Sequence, residues 1–196
     1  GRLLTKARTW LDKQISDEVK EMKRLTTPVI HDYHVVYLHL VAIADRRFNA
    51  TASWLAQQAL EHRSLLSMKG QALLVEALAL TGQSAQAATI ARSLTEHLVT
   101  SPDMGSYFDT HRAALSRESY RVPTQCAAIN ALTAVDVRAN ERVVKEMQRW
   151  LVQSRRTQMW AEPRAACDAI YALIQGADSL ATHSAPLRYT LSRGQH

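Results

Sequence analysis

Residues 64–99 read SLLSMKGQALLVEALALTGQSAQAATIARSLTEHLV, and the contrast between the two halves of this stretch decides the fold class. Ser64 to Thr81 is apolar or small at nearly every position. Ser84 to Val99 keeps helical periodicity but carries more polar and charged residues. Gly82 lies between them, where a helix C-terminus favours the left-handed backbone that glycine accepts. A helix that is apolar all round is buried, whereas a two-faced one lies at the surface. The stretch therefore predicts one inner helix, a tight connection and one outer helix.

The same alternation extends outward in both directions. Leu3, Ala7, Leu11, Ile15, Val19 and Met22 form one stripe, predicting a long outer helix over residues 2–25. Thr26-Thr27-Pro28 ends it, because proline cannot continue a helix. Asp32 caps a second helix running to about Ala44, and Asn49 or Thr51 caps a third ending near Glu61. Downstream, Thr124 to Val135 and Pro163 to Gln175 repeat the inner character, and Ala139 to Gln153 repeats the outer one. Pro163 suits a first helical turn, where its missing N–H is not needed. Ser101 to Arg121, with Pro102, Gly105 and Tyr107-Phe108, reads as a long loop or short ribbon. Leu187 to Ser192 alternates like a strand. The expected organisation is a helical body over 1–176, then a linker and the first strand of a further domain, or a disordered tail, over 177–196.

A marker recurs along the body. Trp10-Leu11-Asp12-Lys13-Gln14, Trp54-Leu55-Ala56-Gln57-Gln58 and Trp150-Leu151-Val152-Gln153-Ser154 share Trp-Leu-x-x-Gln, the third slipped by one position. The tryptophans lie 44 and 96 residues apart (54 − 10 and 150 − 54), the second interval about twice 48. That period equals one helical hairpin with its loops, and hairpins must stack to bury their apolar faces. The fold class is all-α: a partial α/α toroid, or a solenoid, of about eight helices.

Composition narrows the function. With 46% hydrophobic residues, 6 Gly and 5 Pro, the chain is an ordinary globular one. No apolar run approaches a membrane span. The net charge is +6, yet the bases alternate with acids, as in Glu141-Arg142-Val143-Val144-Lys145-Glu146, which reads as a solvated helix face. Arg46-Arg47 and Arg155-Arg156 fall at predicted helix ends, where cations complement the dipole. Nucleic acid is not an expected partner. The helical pattern begins at once, with no signal peptide, so the sequence reads as a piece of a longer chain.

The motifs in order resemble a known family. Met147-x-x-Trp150-Leu151, Arg155-x-Thr157-Gln158-x-Trp160 and Ala166-x-Asp168-Ala169-Ile170-Tyr171-Ala172-Leu173 are similar to the closing repeats of the thioester-containing toroid of α2-macroglobulins, especially the cell-envelope forms of Bacteroidetes-type bacteria. Ala77-Leu78-x-Leu80-x-Gly82 and Gly105-x-Tyr107-Phe108 resemble the elements before them. The resemblance covers most of residues 60–176. It implies a periplasmic or cell-envelope protein that traps or inhibits proteases. Neighbouring macroglobulin domains of the same chain are then the expected partners, with target proteases beyond them. A fragment of a ring is also expected to self-associate. The family's Cys-x-Glu-Gln thioester motif does not occur here: Thr124-Gln125-Cys126 has the residues in the wrong order.

No catalytic set, cofactor site or metal site is expected. Cys126 and Cys167 lack metal-type partners at close spacing and read as small hydrophobes in Ala-rich helices. His31, His34 and His39, with Asp32, form the densest histidine cluster but lack a metalloprotease pattern. Phosphate loops and a nucleophile elbow are absent. Enzymes built on α/α toroids, such as terpene cyclases and glycosidases, need paired carboxylates or a metal at the centre. Here Asp136 and Asp168 are the only inner-helix acids after position 80, and joining Cys167-Asp168 to His183 is forced. Asp168, three residues before Tyr171, reads as structural. The expected role is a non-catalytic scaffold and interaction domain. The alternatives are a TPR-like peptide-binding repeat module and a toroid enzyme.

Overall fold

The computed structural model describes residues 2–109, 121–157 and 163–175. The described chain is all-α apart from one small hairpin. Its elements are α1 (Arg2–Met22), α2 (Asp32–Asp45), α3 (Ala50–Glu61), a 3₁₀ turn (Arg63–Leu65), α4 (Met68–Leu80), α5 (Ser84–Glu96), β1 (Leu98–Ser101), β2 (Gly105–Phe108), α6 (Arg121–Val135), α7 (Glu141–Thr157) and α8 (Pro163–Ile174). The expected strand at 187–192 and the Gln158-x-Trp160 turn lie outside the described residues.

The even-numbered helices form an inner row, in which α2 packs on α4, α4 on α6 and α6 on α8. The odd-numbered helices cover it: α3 lies on α2, α5 on α4 and α6, α7 on α6 and α8, and α1 on α3. This is the predicted alternation, with α2 now placed inside and α3 outside. Position in the row explains composition. α4 is touched by α2, α5 and α6, and Ala72, Leu74, Val75, Ala77 and Leu78 are all fully buried. An amphipathic stripe would leave polar groups stranded there. α7 has neighbours on one side only, so it buries Val144, Met147, Leu151 and Ser154 at helical spacing and exposes its charges. On α8 the buried set is Ala165, Ala169 and Ala172, small enough for close approach to α6.

The Trp-Leu-x-x-Gln marker falls on outer helices each time. Leu55 and Leu151 are fully buried and Leu11 packs against the core, whereas the tryptophans range from Trp150, buried, to Trp10, 64% exposed. The leucine is therefore the structural constant of the repeat.

Three boundaries differ from the sequence reading. α1 stops at Met22, not 25, closing through turns at Arg24 and Leu25 before the Thr27-Pro28 step, whose first residue disfavours helix. α4 begins at Met68, not Ser64: residues 63–65 form a 3₁₀ turn, and Ser67 is the cap, its Oγ accepting from Gly70 N–H at 3.0 Å. α5 ends at Glu96, because Leu98–Ser101 pairs antiparallel with Gly105–Phe108. The ribbon expected beyond 101 thus begins earlier, drawing in β-branched Val99 and Thr100. Gly82 does close α4, at φ +82°, with Gln83 N–H bonding Leu78 O and Gly82 N–H bonding Ala79 O. Gly105, at φ +86°, brings β2 so close to α7 that a Cβ there would meet Glu146 O at 2.3 Å.

One carboxylate sets the inner row's direction. Asp32, in the first turn of α2, reaches the start of α4. It accepts from Ser67 N–H at 3.0 Å and from the Ser67 hydroxyl. A negative charge beside two helix N-termini satisfies orphan donors and the dipoles of both. The two starts lie side by side, so the helices run parallel. Gly70 makes room for this, since a Cβ there would lie 2.4 Å from Asp32 Oδ1.

Gly70→Ala should therefore lower stability by about 1–3 kcal/mol in urea unfolding. In an Asp32→Ala background the same change should become neutral or favourable by up to about 1 kcal/mol, the ordinary helix gain of alanine over glycine. Equal effects in the two backgrounds would show that the contact does not constrain the row.

Candidate functional site

The four inner helices meet on one concave groove of ≈ 230 Å³. Val36, His39 and Leu40 come from α2, Lys69 and Leu73 from α4, Pro123, Cys126 and Asn130 from α6, and Arg164, Asp168 and Tyr171 from α8. Helices at opposite ends of the row thus line the same space, which gives the row its curvature. Asp168 and Tyr171, placed on one side of α8 by their three-residue spacing, both line the groove.

The polar groups here differ in how they are satisfied. His39 Nε2 lies 2.9 Å from Glu76 Oε2, tying α2 to α4. Glu76 is the one acid on a largely apolar helix and is only 8% exposed. Asn130 Oδ1 is buried and has no hydrogen-bond partner among the described residues. Such an orphan acceptor carries a desolvation cost that folding does not offset.

Cys126 is no nucleophile in this setting. Burial first, and the charge of Asp168 second, push its thiol up to about 12, so it stays protonated at neutral pH. Cys167 is exposed, and both cysteines are free. Among the described residues, no three His, Cys, Asp or Glu side chains gather as a metal site would require. His183, the third member of the forced Cys167-Asp168 set, lies outside the described residues. Asp136 is a turn residue whose Oδ1 accepts from Arg138 and Ala139 N–H, both at 2.9 Å.

Two members of the histidine cluster, His31 and His34, form a structural node between α1 and α2. His34 is 1% exposed. Its Nδ1 accepts from His31 N–H at 3.0 Å, which leaves the proton on Nε2, 3.2 Å from Glu18 Oε1. The Tyr33 hydroxyl donates to the same Glu18 oxygen. Further along, Tyr37 donates to Asp12 at 3.0 Å and Arg8 pairs with Asp45. α1 is thus joined to α2 by a polar seam, beside which lies an apolar cleft of ≈ 320 Å³ walled by Leu4, Ala7, Leu11, Leu40, Val41 and Ala44.

Sequence reasoning singled out His39, Cys126, Asp168 and Tyr171 but not Lys69, Asn130 or Arg164. The available signal was a polar residue interrupting an apolar helix, as Asn130 does between Ile129 and Ala131. No family model, curated protein or solved structure matches the chain.

Burial lowers the His34 pKa, an effect that Glu18 only partly opposes. The folded state therefore favours neutral His34. Stability from this source is present above the ordinary value of 6.5 and is lost as pH falls below it. Unfolding midpoints measured from pH 7.5 to 5 should decline, and His34→Gln should flatten the decline; an identical slope in the variant would exclude this histidine as a source. A thiol reagent under native conditions should titrate Cys167 quickly and Cys126 only on denaturation. Rapid loss of two thiols would contradict the burial of Cys126.

Proposed function

We propose that this chain is a non-catalytic scaffold and interaction module, part of an α2-macroglobulin-like protein of the bacterial cell envelope. The carrying observation is the exposed apolar surface at both ends of the helical row. Leu3, Leu4 and Trp10 on α1 and Leu40 and Ile43 on α2 stand open at one end, and Ile170 and Ile174 on α8 at the other. Helical arrays in solution end in polar faces, and apolar ends are docking surfaces. The order of the Trp-Leu, Ala-Leu-x-Leu-x-Gly and Asp-Ala-x-Tyr-Ala-Leu elements supports the macroglobulin assignment, and the inner and outer helical rows are compatible with an arc of its toroid. On this reading the ends seat against neighbouring domains, and the groove lining serves recognition rather than bond making.

Two measurements test the two parts. In sedimentation velocity, the isolated chain should self-associate with rising concentration, and the paired changes Leu4→Glu/Ile43→Glu or Ile170→Glu/Ile174→Glu should leave it monomeric. A chain that stays monomeric throughout removes the ends as docking surfaces. For the family assignment, the longer protein that carries this chain is incubated with trypsin. Trypsin should then lose activity on a large protein substrate while keeping it on a small peptide, and deletion of residues 1–175 should abolish the protection. Unchanged cleavage of both substrates rejects the protease-trap assignment and leaves the docking reading standing.

A further inference from the structure

We propose that the cleft between α1 and α2 receives the exposed side of α8 from a second copy of this chain, Ile170 and Ile174 entering it as a pair. The inference rests on the reading of the apolar ends as docking surfaces and names what docks there.

The cleft is a space that the fold walls without filling. α1 contributes Leu4, Ala7 and Leu11, and α2 contributes Leu40, Val41 and Ala44, with ≈ 320 Å³ between them. Protein interiors pack like organic crystals, with few voids larger than a water molecule. α1 meets that standard over its second half alone. Its buried side chains are Ile15, Val19 and Met22, and no described side chain before Ile15 is buried. Leu4 and Leu40, on facing walls of the cleft, are 75% and 50% exposed. Contiguous apolar surface of this kind marks a contact site.

Hydrogen bonding decides what kind of group enters. The polar side chains at the rim already serve one another. Arg8 pairs with Asp45 and Asp12, and Tyr37 donates to Asp12 at 3.0 Å. An entering charge or amide gives up its water and gains no partner there. The cleft therefore takes purely apolar groups. Its size sets their number. A cavity of about 150 Å³ lined by aliphatic side chains binds one benzene-sized group, so this one holds two branched side chains.

α8 carries such a pair. Its buried side is Ala165, Ala169 and Ala172. Ile170 and Ile174, one turn apart, lie on the opposite side and are 59% and 58% exposed. β-branched side chains are stiff at χ1 and lose little rotamer freedom on docking. The pair is open in the folded chain, so it does not occupy that chain's own cleft. The ridge of one copy meets the cleft of another, and because the two surfaces differ the contact is head-to-tail.

Sedimentation velocity on two single-face variants and their mixture tests the pairing. Ala44→Glu spoils the cleft at an exposed wall position, and Ile170→Glu/Ile174→Glu spoils the ridge. The parent chain should associate as its concentration rises. Each variant alone should associate at least about a hundredfold more weakly, since a buried Glu finds no partner across the contact. Ala7→Phe, which fills the cleft without adding charge, should behave as Ala44→Glu does. An equimolar mixture of the cleft and ridge variants, one of them fluorescently labelled, should recover a 1:1 dimer and nothing larger. One intact ridge then meets one intact cleft, which a misfolded partner could not supply. Parent-strength association of any variant alone overturns the proposal, as does a mixture that stays monomeric while the parent associates. In both cases the apolar ends remain docking surfaces with a different pairing. A parent chain that is monomeric throughout overturns both.

Discussion

The burial of α4 is the constraint on which the rest of the structure depends. A helix enclosed by α2, α5 and α6 must be apolar on nearly every side, and whatever polar groups it carries need dedicated partners. Its two ends and its one buried acid meet that demand differently. The start is closed by Ser67 and by Asp32 from a neighbouring helix, the finish by the turn at Gly82, and Glu76 by His39. Once α4 is seated in this way, α2 and α6 have fixed places on its flanks, and the outer helices follow by covering what those leave bare.

The hairpin β1–β2 shows how a non-helical insertion is tolerated in such an array. It docks on α7 through the stacking of Tyr107 on Trp150, with ring centroids 5.8 Å apart. Gln125, buried on α6, donates to Ser106 O at 2.8 Å and to Met147 O at 3.2 Å. One side-chain amide thus bonds both the hairpin and α7. This explains a glutamine in an inner helix more simply than any chemistry does. A related device operates at α8, where Gln148 of α7 donates to the carbonyls of Ala172, Leu173 and Gln175 at the end of the helix.

Fold class and the inner–outer alternation were legible in the sequence because they follow from how many sides of each helix are covered, and coverage is written in composition. The extent of α5 was not legible, since Leu98 and Val99 continue a helical pattern as readily as they begin a strand; β-branching and the turn at Pro102 favoured pairing with residues 105–108. The start of α4 was misplaced because Ser64 and Ser67 are equally good caps, and only the reach of Asp32 distinguishes them. Site geometry was the least legible. Asn130 stands out locally as a polar residue in an apolar run, but its convergence with Lys69 and Arg164 depends on curvature that no local pattern encodes. His31, His34 and His39 looked like one cluster by spacing, yet two serve the α1 junction while the third faces the groove.

The curvature has a mechanical corollary. Between α2 and α8 stand three helix–helix contacts in series, α2 on α4, α4 on α6 and α6 on α8. The angles at these contacts add, so a rotation of a few degrees at each, too slight to disturb any one packed face, accumulates into an ångström-scale change at the mouth. The gap between the tips is therefore the dimension of the array most sensitive to small changes in helix packing.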